Sequence, residues 1–259
     1  MSKAFVRSLV CASALLAPSL LCAEPAAIAL ARAYLGPEST LDSITSIHYV
    51  GTLDRQDPES GSKAPAHAAL DLILAKPLRQ RLVARQEKLT MTTVLDGYDA
   101  FDFLQDNNVP SRFRLTWLTV DEVKTLRANT WENLYYYRAP EGGSIEDKGP
   151  ATVDQIACER IDFSHGPGIV YQRYFDRDTG RLVLTVRGAE SFRESGEIRV
   201  EGIRFPKMIV STTKTATGKD LVTTATFESI TLNEPLAPGL FASPSILPAK
   251  QSPAPSPGK

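Results

Sequence analysis

Residues 202–244 read GIRFPKMIVSTTKTATGKDLVTTATFESITLNEPLAPGLFASP, and the reading of this stretch decides the fold. Two apolar, Thr-rich runs, 203–215 and 221–232, flank Thr217, Gly218 and Lys219, where glycine can take the positive φ that a tight hairpin needs. A turn at Asn233-Glu234-Pro235-Leu236 closes the second run, and Phe241 follows as an apolar anchor. The stretch is an antiparallel hairpin in a β-rich chain.

Working upstream, segments 152–163, 169–175 and 181–187 read as strands, separated by residues 164–168 and by the turn Phe175-Asp176-Arg177-Asp178-Thr179-Gly180. In the last of them Leu182, Leu184 and Val186 fall on one side, and a charged connection, 190–197, leads to the hairpin. In the first half, 47–53, 68–75, 78–87, 89–95 and 98–104 read the same way, with Leu70, Leu72 and Leu74 on one face and Phe101 and Phe103 on one side of their strand. Residues 54–65 are turn formers and charges, a solvated loop, and Asp96-Gly97 joins the last pair. Period-two segments with a turn between neighbours describe a meander of antiparallel strands.

Two segments change the period. Residues 26–35 are Ala-rich, with Ile28, Ala31, Tyr34 and Leu35 at helical spacing and Gly36-Pro37 as a stop, which predicts a short helix lying on the sheet. Leu118-Thr119-Val120-Asp121-Glu122-Val123 combines a capping box, Thr119 with Glu122, and a hydrophobic staple, Leu118 with Val123. Behind it Val123, Leu126, Thr130, Trp131 and Leu134 continue one helical face to about Tyr137, and Pro140 and Gly142-Gly143 mark the end. The order is a helix, about five strands, an inserted helix and about five more strands, with no repeat of 20 to 50 residues.

The chain has 259 residues, 42% hydrophobic and 23% charged, with net charge −1, which suits one domain and removes the electrostatic argument for nucleic acid. Lys3 and Arg7 precede a run from Ser8 to Ala23, and Leu21-Cys22-Ala23 ends in a small residue, so 1–23 is expected to be a cleaved secretory signal peptide. The run is too short for a spanning helix, and Leu21 argues against lipidation of Cys22. Residues 24–244 form the domain, and 245–259, rich in Pro and Ser, form a disordered tail. With Cys11 and Cys22 removed, Cys158 has no disulfide partner within the chain, so a packed core must carry stability.

The N-terminal segments Leu74-Ala75-Lys76-Pro77, Arg79, Arg81 and Val94-Leu95-Asp96-Gly97-Tyr98 resemble the Lys/Arg-Pro turn, arginine strand and Asp-Gly turn of the periplasmic lipoprotein carrier (LolA-like) superfamily. Tyr174-Phe175-Asp176 with Thr179-Gly180-Arg181-Leu182, residues 202–207, Asn233-Glu234-Pro235-Leu236 and Leu240-Phe241 look like its later signatures. The resemblance covers roughly residues 26–244. It implies an α+β fold, a curved antiparallel half-barrel sheet wrapping an apolar cavity, with an N-terminal helix and an inserted helix. It implies an exported, periplasmic, monomeric carrier with no cofactor, whose partner is a lipid or acylated protein, with peripheral membrane contact. The other reading is a non-transporting envelope module that binds a protein partner. The inserted helix is longer than in the lipoprotein carriers, and Arg79 and Arg81 are only neighbours of the region where that family has its lid-anchoring arginine.

The residues expected to face the cavity are Leu72, Leu74, Phe101, Phe103, Trp117, Val123, Leu126, Trp131, Leu184 and Val186. Burying a chain of about 14 methylenes there would bring on the order of 10 kcal/mol before costs, so handover to a second apolar acceptor suits release. An open apolar pocket of at least about 300 Å³ is the structural sign to look for. No catalytic reading is expected. Asp176, Asp178 and Gly180 lack the terminal Glu of a calcium loop, and Ser211-Thr212-Thr213-Lys214 lies in a strand and not at a helix start. Cys158 and His165 are not placed together by any motif, and His48, His67 and His165 lack metal-ligand spacing.

Overall fold

The chain runs outward from the middle of one sheet, crosses the concave side as a helix, and returns to the middle. The computed structural model describes residues 24–61 and 65–244, so the expected signal peptide and tail lie outside the described residues. Helices α1 (Ala26–Leu35) and α2 (Glu38–Ser43) lead into β1 (Ser46–Gln56), β2 (Ala66–Ala75), β3 (Arg79–Arg85), β4 (Leu89–Asp96), β5 (Asp99–Asp106) and β6 (Phe113–Trp117). After α3 (Val120–Leu134) come β7 (Ser144–Val153), β8 (Ile156–Ser164), β9 (Val170–Asp176), β10 (Leu182–Arg187) and β11 (Glu190–Ser195). The short β12 (Ile198–Val200) and β13 (Ile203–Phe205) pair only with each other, and β14 (Met208–Lys214) and β15 (Asp220–Leu232) complete the main sheet.

That sheet has 13 described strands in the order β6-β5-β4-β3-β2-β1-β15-β14-β11-β10-β9-β8-β7, and each pairing is antiparallel. Its two edges, β6 and β7, do not pair, so it is an open, curved half-barrel of the α+β class. The two meanders meet where β1 pairs with β15, and α3 carries the chain from one edge to the other. The inner face buries Ile47, Tyr49, Leu70, Leu74, Phe227 and Ile230 with Leu134 of α3. In the second meander Ile161, Phe163, Tyr171 and Phe175 pack against Ile28 and Ala31 of α1 and Ala128 of α3. On the outer face Phe241 packs on Ile73, Ala75, Val94 and Phe101, which is the anchoring its position after the final turn suggests.

Local signals explain the parts that match. The α1 bounds are those expected, and the α3 capping box forms: Glu122 N donates to Thr119 Oγ1 at 3.4 Å, and Thr119 N donates to Glu122 Oε2 at 2.7 Å. The turn after β9 brings Gly180 to φ +77° beneath α1, where an added Cβ would stand 2.6 Å from the Leu30 carbonyl carbon. Only glycine fits that approach.

The differences have physical causes. The segment 152–163 is interrupted by a hairpin at Asp154 and Gln155, which both take positive φ without any glycine to mark the turn. The segment 203–215 is broken at Pro206, so β13 leaves the main sheet to pair with β12. The charged connection 190–197 is strand β11 over most of its length, and α2, β6 and β7 were absent from the sequence reading. Among the described residues no helix is long and apolar enough to cross a membrane.

Candidate functional site

Between the inner face of the sheet and the second half of α3 lies a hollow of about 260 Å³. It adjoins a chamber of about 340 Å³ near Tyr34 and Ser195, with which it shares Tyr137, Leu182, Glu194 and Phe205. The first falls just short of the roughly 300–1,000 Å³ of ligand pockets, and the second lies within that range.

The hollow has two unlike walls. One is apolar: Tyr49 and Leu53 of β1, Leu70 and Leu72 of β2, Leu82 of β3, Ile209 of β14, and Ala225 and Phe227 of β15. Register places these on one face, since Tyr49 opposes Leu72, Leu72 opposes Leu82, Leu53 opposes Ala225 and Ala225 opposes Ile209. The other wall is polar: Arg173 of β9, Thr185 of β10, Glu194 of β11, and Asn129, Glu132 and Asn133 of α3.

The polar wall is built on a buried ionic clamp. Glu132 Oε2 lies 2.7 Å from Arg173 Nη1, and Glu132 Oε1 lies 2.5 Å from His165 Nε2, with the Glu132 and Arg173 side chains 2% and 8% exposed. Burying such charges is costly unless they are paired, and here one carboxylate faces two potential cations. The Arg173 guanidinium also lies over the rings of Tyr137, at 4.8 Å, and Phe163, at 5.3 Å. Glu194 differs. Much protein lies around it, yet the residue is exposed where it lines the hollow and the adjoining chamber, and among the described residues its carboxyl forms no hydrogen bond or ion pair. Burial pushes its carboxyl above the usual range, opposed by the charge of Arg173. Burial also raises the phenols of Tyr49, Tyr136 and Tyr137.

The far end of α3 is held from α1. The buried Arg32 donates through Nη1 to the Tyr136 carbonyl at 2.5 Å and through Nε and Nη2 to Glu38, at 2.9 and 2.7 Å, while Nη2 also reaches Asp42 at 3.0 Å. Arg138 binds the same two carboxylates from the other side. Arg32 thus ties the segment just after the crossing helix to α1, as Arg173 ties Glu132 of that helix to β9; Arg79 lies over Phe241 on the outer face and Arg81 stands 4.0 Å from Asp71.

Of the ten residues expected to face the cavity, only Leu72 lines the hollow. Leu74 is on the same face but closed over within the inner core. Val123 and Leu126 pack near Leu95 and Ala100, and Leu126 borders a separate shallow groove with Thr93 and Arg187. Trp131 stacks on Tyr135 at 3.7 Å and donates its indole N–H to the Arg138 carbonyl at 3.2 Å. Phe101, Phe103 and Trp117 are on the outer face with Val94, because β5 pairs Ala100 and not Phe101 with the inward Leu95. Leu184 and Val186 also leave the inner face. A bulge makes Leu182 oppose Phe175 but Leu184 oppose Tyr174, so Leu182 and Thr185 point inward.

The remaining wall residues were missed for two reasons. Tyr49, Leu70 and Leu82 follow from strand alternation only once the register of β1, β2 and β3 is known. Phe192 and Glu194 lie in the stretch read as a connection. Nor does the structure join Cys158 to His165: Cys158 packs with Val153 and Val183, and His165 faces Glu132. Asp176 instead accepts from the amides of Asp178 and Thr179, as a hairpin turn requires. Ser211 and Lys214 lie in β14, where Lys214 pairs with Asp220.

No family model and no curated protein matches the sequence. Solved structures do share the fold. A LolA superfamily protein from Nitrosomonas europaea aligns at TM-score 0.58 and 10% identity, over 84% of this chain and 96% of that one. A putative outer membrane lipoprotein-sorting protein domain from Vibrio parahaemolyticus aligns at 0.54 and 7%, over 83% and 95%. A DUF1329 family protein from Desulfovibrio piger aligns at 0.53 and 10%, over 83% and 95%. The chain has a LolA-like fold.

Proposed function

Starting from that fold, we propose that the protein is an exported carrier that holds the acyl chain of a lipid or lipidated protein in the hollow beneath α3. The observation that supports this is the apolar wall drawn from five strands, Tyr49, Leu53, Leu72, Leu82, Ile209 and Phe227 among them, around space the protein does not fill with its own side chains. Each methylene buried against such a wall contributes about 0.8 kcal/mol. The full chain, stripped of lipid, should bind a fluorescent fatty-acid probe, and native mass spectrometry of the unstripped protein should show a bound amphiphile. Leu72→Glu puts a charge into the apolar wall and should weaken the probe at least about tenfold while circular dichroism stays unchanged. Equal binding by Leu72→Glu and the native chain would overturn the reading.

A second reading, a module that binds an envelope protein, draws on the opposite side. Strand β6 is an open sheet edge, and Phe113 and Trp117 on its outer face are 42% and 56% exposed. An extended partner segment can add to such an edge. Under that reading Trp117→Lys would abolish partner binding and Leu72→Glu would leave it intact.

A further inference from the structure

The polar wall faces the apolar one across the same space, so a chain lying on the apolar wall would have Arg173, Thr185, Glu194, Asn129 and Asn133 opposite it to meet its linking group. The charges there determine which linkage fits. Arg173 is offset by Glu132, and Arg204, at the mouth, is offset by Glu197. Glu194 is left over, a carboxyl with no donor of its own and with Arg173 within electrostatic reach. An anionic head would meet Glu194 with no spare cation to offset it. A quaternary ammonium would meet Arg173 and supply no donor. An ester supplies an acceptor only, and would displace water from Glu194 without giving it a donor.

Resting on the reading that the hollow takes an acyl chain, we infer that it selects chains joined through a secondary amide, with Glu194 accepting the amide N–H and Arg173 donating to the amide carbonyl. Arg173 suits this role because it does not have to be ordered when the ligand arrives. Glu132 pairs with its Nη1, the rings of Tyr137 and Phe163 lie against its guanidinium, and its buried Nε has no hydrogen-bond partner among the described residues. Donor and acceptor then stand on neighbouring parts of one wall, on β9 and β11, with the apolar wall opposite to take the chain. Desolvation raises the Glu194 carboxyl, and a ligand N–H donated to it would oppose that shift.

The test compares N-methyldecanamide with methyl decanoate, two neutral ligands that differ by N–H against O. Titration calorimetry of the lipid-stripped full chain at pH 7 should show the amide binding about tenfold more tightly. In Glu194→Leu that preference should vanish by loss of amide affinity, and Glu194→Gln, which keeps an acceptor oxygen, should retain it. Glu194 has accessible surface, so these variants should keep the native circular dichroism. Equal affinity for the two ligands, tighter binding of decanoate, or a preference that survives Glu194→Leu would overturn the inference while leaving the hollow as an acyl site. Binding of neither ligand to the native chain would overturn both.

Discussion

The two ends of α3 rest on the sheet by different physics. Its first turns lie on Leu95 and Ala100 through Val123 and Leu126, and their polar contacts are exposed or half-buried: the capping box, the Lys124–Asp121 pair at 3.1 Å, and Arg127, which donates to the Gly97 carbonyl and lies 3.7 Å over the Tyr98 ring. Its last turns are pinned by buried charge. Glu132 reaches Arg173 of β9, Arg32 of α1 grips the Tyr136 carbonyl, and Leu134 is fully buried. The pinned end is the one beside the hollow, and it is tied both to the second meander and to the N-terminal helix. Local opening free energies differ across a fold in this way, so the capped end is where α3 separates from the sheet at lowest cost.

The strongest way to break this contrast is to remove the clamp. Glu132→Leu leaves Arg173 buried without its counter-charge and should lower the unfolding free energy in urea by about 3–5 kcal/mol. Glu132→Leu with Arg173→Met replaces the pair with apolar groups and should recover most of that loss. A single variant costing under about 1 kcal/mol would show that the two ends are held alike.

Arg32→Leu comes next. The Tyr136 carbonyl loses its donor, but Glu38 and Asp42 keep Arg138, so the expected cost is about 2–3 kcal/mol. Amide hydrogen exchange should quicken across residues 128–138 and stay unchanged across 120–126. Uniform quickening along α3 would mean that the helix moves as one body.

How much of this was legible in the sequence follows from the range of each interaction. The α3 capping box spans four residues, and the hairpin turn at Gly218 is equally local, so both could be read directly. Strand β11 could not be read so, because Glu190, Phe192 and Glu194 alternate on one side of it with only Phe192 apolar. The hollow depends on pairings such as Leu53 with Ala225, over 170 residues apart, and on the bulge at Val183 that turns Leu184 outward. The clamp joins Glu132, which lies off the apolar face of α3 legible from the helical spacing, to an arginine two strands past the next edge.

A pH series sharpens the comparison at the pinned end. The hydrogen bond from Arg32 holds the Glu38 carboxyl below its ordinary 4.5, and at Asp42 burial is outweighed by Arg138 and Arg32, which hold it below 3.8. Carboxyls with lowered folded values contribute stability that is complete above those ordinary values and is lost as pH falls through the folded ones. Glu194, raised by burial, acts with the opposite sign, since the folded state keeps a proton that the unfolded chain releases as pH rises past about 4.5. Glu38→Gln should therefore flatten the acid loss of the urea midpoint, and Glu194→Gln should remove the opposing slope. Glu38 and Asp42 are half exposed, so their share should stay under about 1 kcal/mol.

The smallest effect belongs to the capped end. Arg127→Ala removes the half-buried bond to the Gly97 carbonyl and the stacking on Tyr98, which is 79% exposed, so most of what is lost can be replaced by water. The expected loss is under about 1 kcal/mol, with faster exchange confined to residues 120–126. Because Asn129 and Asn133 line the hollow one and two turns further on, opening at this end would widen access to it without disturbing Glu132 or Arg32. Arg127→Ala should then speed both uptake and release of an acyl probe in stopped-flow measurements while leaving its affinity nearly unchanged. A change in release alone would place the entrance elsewhere, at the chamber beside Tyr34 and Ser195.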